Sequence, residues 1–394
     1  MHTPKAFADS ASLAYVRRHL RLVRVAALTP VLMGMGALTG CVSDDSSSSP
    51  DDAGAPVDAN YVSAQPPSPS GVPTNVTASH NFAIHHIHLG DEIDPATNAP
   101  DWPRYGYDLD HKNTTPTSTD VCKLATDTSL KNQVDGPGGI DNSFGENIVP
   151  LLAAVMANPS MVENTALAAG QFTLMLDVNG LDESNVTQTA TGLSGQFFGG
   201  VGFDQGPNAS ASDAGTSAPT FTTADDWPLD PSFLPGGVVA NPAASNEVFA
   251  APYVTNGTFV GSAGTELNLT LIFPAGPVVL KIQHPVVTFV NDGTHAGSGI
   301  LSGVILTQDM ASAAQIFEQT FSSSCAGQAQ VMTAVQQAAD IMHDESNTAG
   351  VACDAISFAI GFDADEIGAP AAAGVPAAYP ATVPCVDGGV ANGG

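Results

Sequence analysis

Residues 355–362, AISFAIGF, place a large apolar side chain at every second position, from Ile356 to Phe362. Because successive side chains of a β-strand lie on opposite faces of a sheet, this alternation predicts a strand with one fully apolar face. Residues 171–178 and 267–273 alternate in the same way. Three more runs are rich in β-branched residues, at 278–283, 286–290 and 300–306. These segments predict a mostly antiparallel assembly, either a β-sandwich or an open barrel.

About four helices and several long loops complete an α+β, mostly β prediction. Apolar residues at helical spacing predict helices over 147–157, 160–170, 308–321 and 326–343. Ser160 and Glu163 have the spacing of a capping box, which predicts that the second helix begins at Ser160. The Gly-, Ser- and Pro-rich segment 181–256 predicts short strands joined by long loops.

The amino-terminal segment has the pattern of an export signal. Four arginines come first, at Arg17, Arg18, Arg21 and Arg24. The apolar stretch Val25–Leu38 follows, and its 14 residues are too short to span a bilayer. The sequence Leu-Thr-Gly-Cys that ends at Cys41 resembles the lipobox of bacterial lipoproteins, which implies that acyl chains on Cys41 anchor the protein to a membrane. Val42, rather than Asp, follows the cysteine, and the resemblance to these lipoproteins then implies the outer membrane.

The composition divides the chain into four parts. Residues 1–41 are the predicted lipoprotein signal peptide, and residues 42–79 form a Ser/Asp/Pro-rich tether expected to be disordered. Residues 80–368 are expected to form a single β-rich globular domain. The Ala/Pro/Gly-rich tail 369–394 is expected to be tied back to this domain through Cys385.

The charge of the chain excludes one class of partner. Its 394 residues include 39 acidic and 10 basic side chains, and only five of the basic ones follow Cys41. Because such a surface repels phosphate groups, we expect no nucleic-acid binding.

Four cysteines follow Cys41, at Cys122, Cys325, Cys353 and Cys385. An even number of cysteines in an exported chain predicts disulfides, with three alternative pairings. We favour Cys325–Cys353, because this pair brackets one helix and its loop, and that choice leaves Cys122–Cys385. A cysteine-bound metal is the alternative, but the chain has no CxxC pair.

A histidine-rich segment is the first candidate metal site. Residues 85–88, HHIH, precede Asp91, Glu92 and Asp94. On a strand, His86 and His88 would share a face, and two such imidazoles with a carboxylate are typical of a zinc site. His80 is a candidate further ligand. The alternative is a strand whose histidines simply face solvent.

The second candidate is a calcium site. Its expected ligands are oxygen-bearing side chains on Gly-rich loops, at Asp108, Asp110, Asp135, Asp141 and Asn142. The alternative for Asp141 and Asn142 is a turn in which they bond to the backbone before a helix.

Catalytic and sugar-binding signals are weaker. Residues 192–196, GLSGQ, depart from the GxSxG nucleophile motif at Gln196, and cysteines held in disulfides would leave no free thiol. Four aromatic residues could form a sugar-stacking platform, at Trp102, Tyr105, Tyr107 and Trp227.

Three phrases together resemble a family of Gram-negative bacterial lipoproteins that has no assigned activity. They are WPRYGYDLD at 102–110, DGPGGIDNSFG at 135–145 and CDAISFAIGF at 353–362. The resemblance covers about residues 80–390 and implies a cell-envelope address, but it carries over no functional residue.

The leading functional hypothesis is therefore a cell-envelope lipoprotein that is a non-enzymatic binding or structural module stabilised by calcium. Its partner would be an extracellular glycan or an envelope protein. The first alternative is a zinc-dependent hydrolase using His86 and His88, and the second is a carbohydrate-binding module. Enzymatic activity stays undecided, with the missing nucleophile motifs weighing against it.

Overall fold

The computed structural model describes residues 64–377 except 125–131, 206–217, 241, 265, 274–275, 322–327 and 371. The predicted signal peptide, Cys41, most of the predicted tether, Cys325 and Cys385 lie outside these residues. No helix within the described residues is long and apolar enough to cross a membrane.

The described residues are mostly β-sheet, as predicted. The strands are β1 (Val72–Pro73), β2 (Ser79–His88), β3 (Ile93–Asp94), β4 (Ala99–Pro100), β5 (Thr173–Asn179), β6 (Ala190–Thr191), β7 (Ser194–Gly200), β8 (Tyr253–Thr255), β9 (Thr258–Ser262), β10 (Leu267–Phe273), β11 (Gly276–Asn291), β12 (His295–Leu306) and β13 (Ala355–Ile367). The α-helices are α1 (Val149–Val155), α2 (Pro159–Ala168), α3 (Thr307–Phe321) and α4 (Gln328–Gln337). A π-helical turn, Phe144–Ile148, leads into α1.

Ten strands form one sheet in the order β1-β6-β8-β9-β11-β12-β13-β2-β5-β7, and β10 pairs with β11 beside this path. All of these pairings are antiparallel except that of β1 with β6. Strands β3 and β4 form a separate small hairpin. The alternating segments 267–273 and 355–362 lie in β10 and β13, as predicted.

The two runs expected on either side of His284-Pro285 form one long strand, β11. The pairing of β11 with β12 shifts register between Gln283 and Val286, and His284 has a φ of 50°. The proline therefore produces an irregularity inside the strand rather than ending it.

Aromatic contacts show that the sheet is curled into a half-barrel. Strands β2 and β11 are three positions apart in the sheet, which is about 14 Å if it were flat. The rings of Phe82 on β2 and Phe289 on β11 are nevertheless only 5.5 Å apart. Phe259 of β9 stacks on Phe289 at 4.8 Å, so the core fills the inside of the curl.

Residues 247–250 connect the two sides of this curl. The N–H of Phe197 on β7 donates to Glu247 O at 2.8 Å, and the N–H of Ala250 donates to Ser262 O of β9 at 2.6 Å. Phe249 contacts both Phe197, at 4.6 Å, and Phe259, at 5.7 Å. The irregular segment 247–250 thus joins β7 and β9, two strands that do not pair with each other in the sheet.

The capping-box prediction at Ser160 is wrong. Helix α2 begins at Pro159, and its N-cap is Asn158. Ser160 accepts a hydrogen bond from the N–H of Leu89 at 2.9 Å, while Glu163 accepts one from the N–H of Ile272 at 2.9 Å. Proline suits the first helical position, and tertiary partners occupy the two side chains that would have formed the box.

Helix α4 is also shorter than predicted, and it ends at Gln337 instead of 343. Beyond it the chain turns to pair with β13, where Ile341 and Ala355 form an antiparallel bridge. The predicted helix included this segment. Its apolar residue Ile341 is instead fully buried at the bridge.

The disulfide pairing predicted from chain proximity is wrong. Cys122 bonds to Cys353, with their Cα atoms 5.2 Å apart and 231 residues between them in sequence. A parallel bridge between Lys123 and Ala352 aligns the two segments, and the N–H of Cys353 donates to Lys123 O at 2.9 Å. This pairing rules out both Cys325–Cys353 and Cys122–Cys385.

Both ends of the predicted domain extend further than expected. The N–H of Ala64 donates to Gly138 O at 2.8 Å, and Tyr253 donates to Pro67 O at 2.7 Å. At the other end, the N–H of Gly374 donates to Leu229 O at 2.9 Å. Parts of the predicted tether and tail therefore belong to the folded body.

Candidate metal centre

The histidines of residues 85–88 lie at an irregularity of β2. Ile84 pairs with Ala364 of β13, and His86 pairs with Asp363, so that His85 is an extra residue on β2. Such a bulge changes which side chains lie away from the core. Ile84 and Ile87 are buried, whereas His85, His86 and His88 are partly exposed.

We call this surface the histidine face. It is the side of β2, β12 and β13 that carries His85, His86, His88, His295, Asp363 and Asp365. The opposite side of the same strands carries core residues such as Phe82 and Phe362.

His86, His88 and Glu92 bring three ligand atoms together, all within 4.8 Å of one another. Glu92 Oε2 is 3.1 Å from His88 Nδ1, and Glu92 Oε1 is 3.9 Å from His86 Nε2. In a tetrahedral zinc site with bonds of 2.0–2.1 Å, ligand atoms are about 3.4 Å apart. The three side chains therefore offer ligand types that zinc uses, at separations near this value. His86, His88 and Glu92 are 40%, 22% and 45% exposed.

Asp363 adds a second carboxylate to the group. Its Oδ2 is 3.5 Å from His88 Nε2, and its Oδ1 accepts a hydrogen bond from the N–H of Ser298 at 3.1 Å. The imidazole of His88 thus lies between two carboxylates, Glu92 on one nitrogen and Asp363 on the other. A carboxylate behind a ligating histidine is the arrangement that fixes the ring in many metal sites.

The two histidines have opposite pKa shifts. The hydrogen bond to Asp363 raises the pKa of His88, and that same bond lowers the pKa of Asp363 to about 2. Burial, followed by the positive charge of His88, lowers the pKa of His86. His86 therefore loses its proton more readily than His88, which holds its proton more tightly.

An aromatic ring orients His88. Tyr105 stacks on the imidazole with a centroid distance of 5.5 Å and an interplanar angle of 16°. The phenol donates to Asp101 Oδ2 at 3.0 Å, and its ring lies over Gly361 of β13, where a Cβ would overlap it. Asp101 is buried, which raises its pKa, and its other oxygen has no hydrogen-bond partner within the described residues.

Helix α2 supports the other histidine. The amide of Asn164 exchanges hydrogen bonds with the backbone of Ile87, at 2.7 Å to its N–H and 2.9 Å to its carbonyl. The same amide nitrogen is 3.2 Å from His86 Nε2. Asn164 therefore fixes the helix to the strand and donates to His86 Nε2, a hydrogen bond that a metal ion at this nitrogen would displace.

No protein-family model, curated protein or solved structure matches this chain. The function is therefore inferred from side-chain geometry.

His80, the further ligand considered from the sequence, belongs to another group. It lies on the core side of β2, with Nδ1 2.9 Å from Glu366 Oε1 and 2.6 Å from Glu183 Oε1. Because it is buried on the opposite side of the sheet, it does not join His86 and His88.

Most of the predicted calcium ligands do come together. Asp108, Asp110 and Asp141 offer carboxylate oxygens within 4.8 Å of one another, and Asp135 interacts electrostatically with Asp110 and Asp141. An antiparallel bridge between Tyr107 and Asp141 aligns the two loops.

Burial and mutual repulsion change the acidity of this cluster. Burial, followed by the charge of Asp110, raises the pKa of Asp141 well above its usual value. Burial raises the pKa of Asp135 to about 8. Buried carboxyl groups that lie close together repel one another when ionised. They are stabilised either by binding a proton or by binding a cation between them.

Asn142, the fifth predicted calcium ligand, is used elsewhere. Its side-chain oxygen accepts hydrogen bonds from the N–H groups of Gly145, at 3.0 Å, and Ala359, at 3.1 Å. Its amide nitrogen donates to the carbonyls of Trp102 and Tyr105. This residue fixes the loop to β13, which is close to the turn alternative considered from the sequence.

The predicted aromatic platform is divided. Trp227 is fully buried, and its indole N–H donates to Val201 O at 2.6 Å. Tyr105 stacks on His88, and Tyr107 bonds to Thr288 at 2.6 Å. The four aromatic side chains do not form one surface.

Sequence reasoning missed Asp363, Asn164, Asp101 and the role of Gly361. A signal for Asp363 was available, because Asp363 and Asp365 continue the non-core side of the alternation in β13. Nothing in the sequence pairs Asn164 with His86, since this contact depends on how α2 packs against β2.

Proposed function

We propose that this protein binds a divalent transition-metal ion, with zinc the best match to the donor set, through His86, His88 and Glu92. In this proposal Asp363 orients His88, and the ion displaces the hydrogen bond that the Asn164 amide donates to His86 Nε2. Two imidazoles and one carboxylate are the ligand types that zinc prefers, with the fourth position left for water or a partner's ligand.

One observation carries the proposal. Three donor groups lie within 4.8 Å of one another on a partly exposed strand face, already oriented by neighbouring side chains. A net charge of −29 favours the approach of cations to this surface.

We place metal binding ahead of the hydrolase alternative. Within the described residues, the cavity between β5, β7 and β10 is lined by residues such as Phe172, Gly199 and Thr270, and a second one by Gly170 and Asp204. Neither of these two cavities is lined by His86 or His88, whereas metal-type ligands do converge at these histidines.

The test is a zinc titration of the tag-free full chain by isothermal calorimetry, with elemental analysis of the dialysed complex. We expect H86A/H88A to bind one equivalent of zinc fewer than the unchanged protein. The matched control is H343A, since His343 forms a 2.7 Å contact with Asp354 but belongs to none of the three-ligand groups in the described residues. Equal zinc stoichiometry in H86A/H88A and the unchanged protein would refute the proposal.

We also propose that the protein is exported and anchored through acyl chains on Cys41, on the support of the basic segment, the short apolar stretch and the lipobox resemblance. Mass spectrometry of membrane fractions tests this. We expect an acylated amino-terminal Cys41, and an uncleaved chain without acyl groups in C41S. An intact Met1 terminus in native material would contradict the proposal.

A structural calcium ion at Asp108, Asp110 and Asp141 is the second candidate. It is supported by three buried carboxyl groups that converge, with raised pKa values at Asp110 and Asp141. A cation there would offset the repulsion between these groups and stabilise the loops that carry them.

A further inference from the structure

A second group of metal-type ligands lies beside the first on the histidine face. His295 at the start of β12 pairs directly with Asp365 of β13, and His85 is the extra residue of the β2 bulge. The three side chains offer ligand atoms within 4.8 Å of one another.

Asp365 holds the group together through both of its oxygens. Its Oδ1 is 2.6 Å from His295 Nδ1, and its Oδ2 is 3.4 Å from His85 Nε2. Each histidine therefore faces a different oxygen of one carboxylate. An ion between the two rings would meet two imidazole nitrogens and one carboxylate, which is again a zinc-type donor set.

His85 has a ring nitrogen, Nε2, that makes no hydrogen bond within the described residues. This nitrogen is shielded from solvent, and Asp365 lies nearby. A buried polar atom without a hydrogen bond costs free energy, which a bound ion would offset. The ring of Phe221 lies 5.6 Å from that of His85, and the side chains of His85, His295 and Asp365 are still 28%, 39% and 37% exposed.

We propose that His85, His295 and Asp365 form a second divalent transition-metal site, so that the histidine face binds two separate ions. Asp363 and Asp365 are two residues apart on β13, about 7 Å along the strand. The two groups share no residue, whereas dinuclear hydrolytic centres hold their ions about 3.5–4 Å apart. Two separate sites of this kind fit a protein that binds several metal ions on one surface better than they fit a dinuclear catalytic centre.

The second site is tested by counting zinc equivalents in the tag-free full chain and in four variants. We expect two equivalents for the unchanged protein and for H343A, one for H295A and one for H86A/H88A. D365N is the second variant of the site. It keeps the size of the side chain but removes the carboxylate charge, so we expect one equivalent, as for H295A. Circular dichroism and thermal unfolding establish that each variant is folded.

The outcomes separate the two sites. If H295A and D365N bind as much zinc as the unchanged protein, the second site is wrong and the first is unaffected. If H86A/H88A binds as much as the unchanged protein while H295A binds less, the first site is wrong and the second stands. If a folded unchanged protein binds no zinc, both proposals fail.

Discussion

His86 and His88 are two residues apart on one strand, and they hold their protons differently. His88 lies between Glu92 and Asp363, and its hydrogen bond to Asp363 raises its pKa. Burial lowers the pKa of His86. Because a metal binds the neutral imidazole, zinc would have to displace a proton mainly from His88, and metal binding should weaken as the pH falls.

Gly361 is the residue that admits Tyr105 to the site. Substitution G361A would place a Cβ against the Tyr105 ring, which must then move away from His88. We expect a loss of about 1–3 kcal/mol in the free energy of unfolding, together with weaker zinc binding. Thermal unfolding and calorimetry measure the two effects.

The control for this substitution is G264A, because a Cβ at Gly264 meets nothing within 4 Å. If G361A and G264A bind zinc equally well, stacking of Tyr105 on His88 does not support the site.

Glu163 predicts a pH dependence of stability that is independent of the metal sites. It is fully buried, accepts a hydrogen bond from the N–H of Ile272, and burial raises its pKa from 4.5 to about 8. Between these values the folded chain holds a proton that the unfolded chain has lost. The contribution of this group to stability therefore falls as the pH rises from 4.5 to about 8.

The substitution E163Q removes this titration while keeping a hydrogen-bond acceptor for Ile272. We expect E163Q to gain stability relative to the unchanged protein as the pH rises, by up to about 1.4 kcal/mol per pH unit between pH 5 and 8. Denaturant unfolding at several pH values measures this, with the partly exposed Glu247 changed to Gln as the control. A stability difference that stays constant over this range would show that Glu163 does not titrate as inferred.

At the scale of the element, the β2 bulge and the alternation of β13 together create the histidine face. The bulge leaves both His85 and His86 outside the core, and the side chains of Asp363 and Asp365 lie on the same side of the next strand. A regular strand would alternate His85 and His86 between the two faces and would bury one of them among Phe82 and its neighbours. One irregular residue thus allows two ligand groups to form side by side.

The bridge between Lys123 and Ala352 leads to a prediction about the cysteines. Non-reducing peptide mapping should find Cys122 linked to Cys353. The double substitution C122S/C353S should cost about 2–5 kcal/mol of stability, because this bond closes a very long loop. A peptide that links Cys122 to Cys385 would contradict the observed alignment of these segments.

For the whole molecule, charge is the dominant property. The chain carries 39 acidic and 10 basic side chains, and three of the acidic ones converge at Asp108, Asp110 and Asp141. Repulsion of this kind destabilises the compact state unless cations bind, so both proposed kinds of metal site would also stabilise the fold.

Calcium is expected to raise the midpoint of thermal unfolding of the full chain. At a concentration 100 times Kd, a bound ion contributes about 2.7 kcal/mol. D141N should lose most of this increase. Without calcium it should be at least as stable as the unchanged protein, since it removes a buried carboxyl group whose ionised form is disfavoured by burial and by the charge of Asp110. Calorimetric scans with calcium and with EDTA measure both effects.

The matched control for D141N is D344N, because Asp344 lies on the surface and bonds to Ser346 in a local turn. An unfolding midpoint that does not change with millimolar calcium would remove the calcium site from the proposal.

The sequence by itself determined which segments form strands. The alternation in 267–273 and 355–362 depends on near neighbours along the chain, and burial of one face requires it wherever the strand lies in the sheet. It also predicted that His86 and His88 share a face, because they are two residues apart. It named Asp108, Asp110 and Asp141 as calcium ligands from their residue types and turn patterns, but their meeting depends on the bridge between Tyr107 and Asp141.

Only the tertiary structure decided how distant segments meet. The link from Cys122 to Cys353 spans 231 residues, and it depends on a bridge that no local pattern encodes. The bulge that turns His85 outward and the packing of Asn164 against His86 likewise arise from the pairing of β2 with β13 and α2. Local sequence fixes the conformation of each strand. Strand register and helix packing instead depend on the free energy of the whole core. The candidate metal sites form where β2 pairs with β13, so only the tertiary structure could locate them.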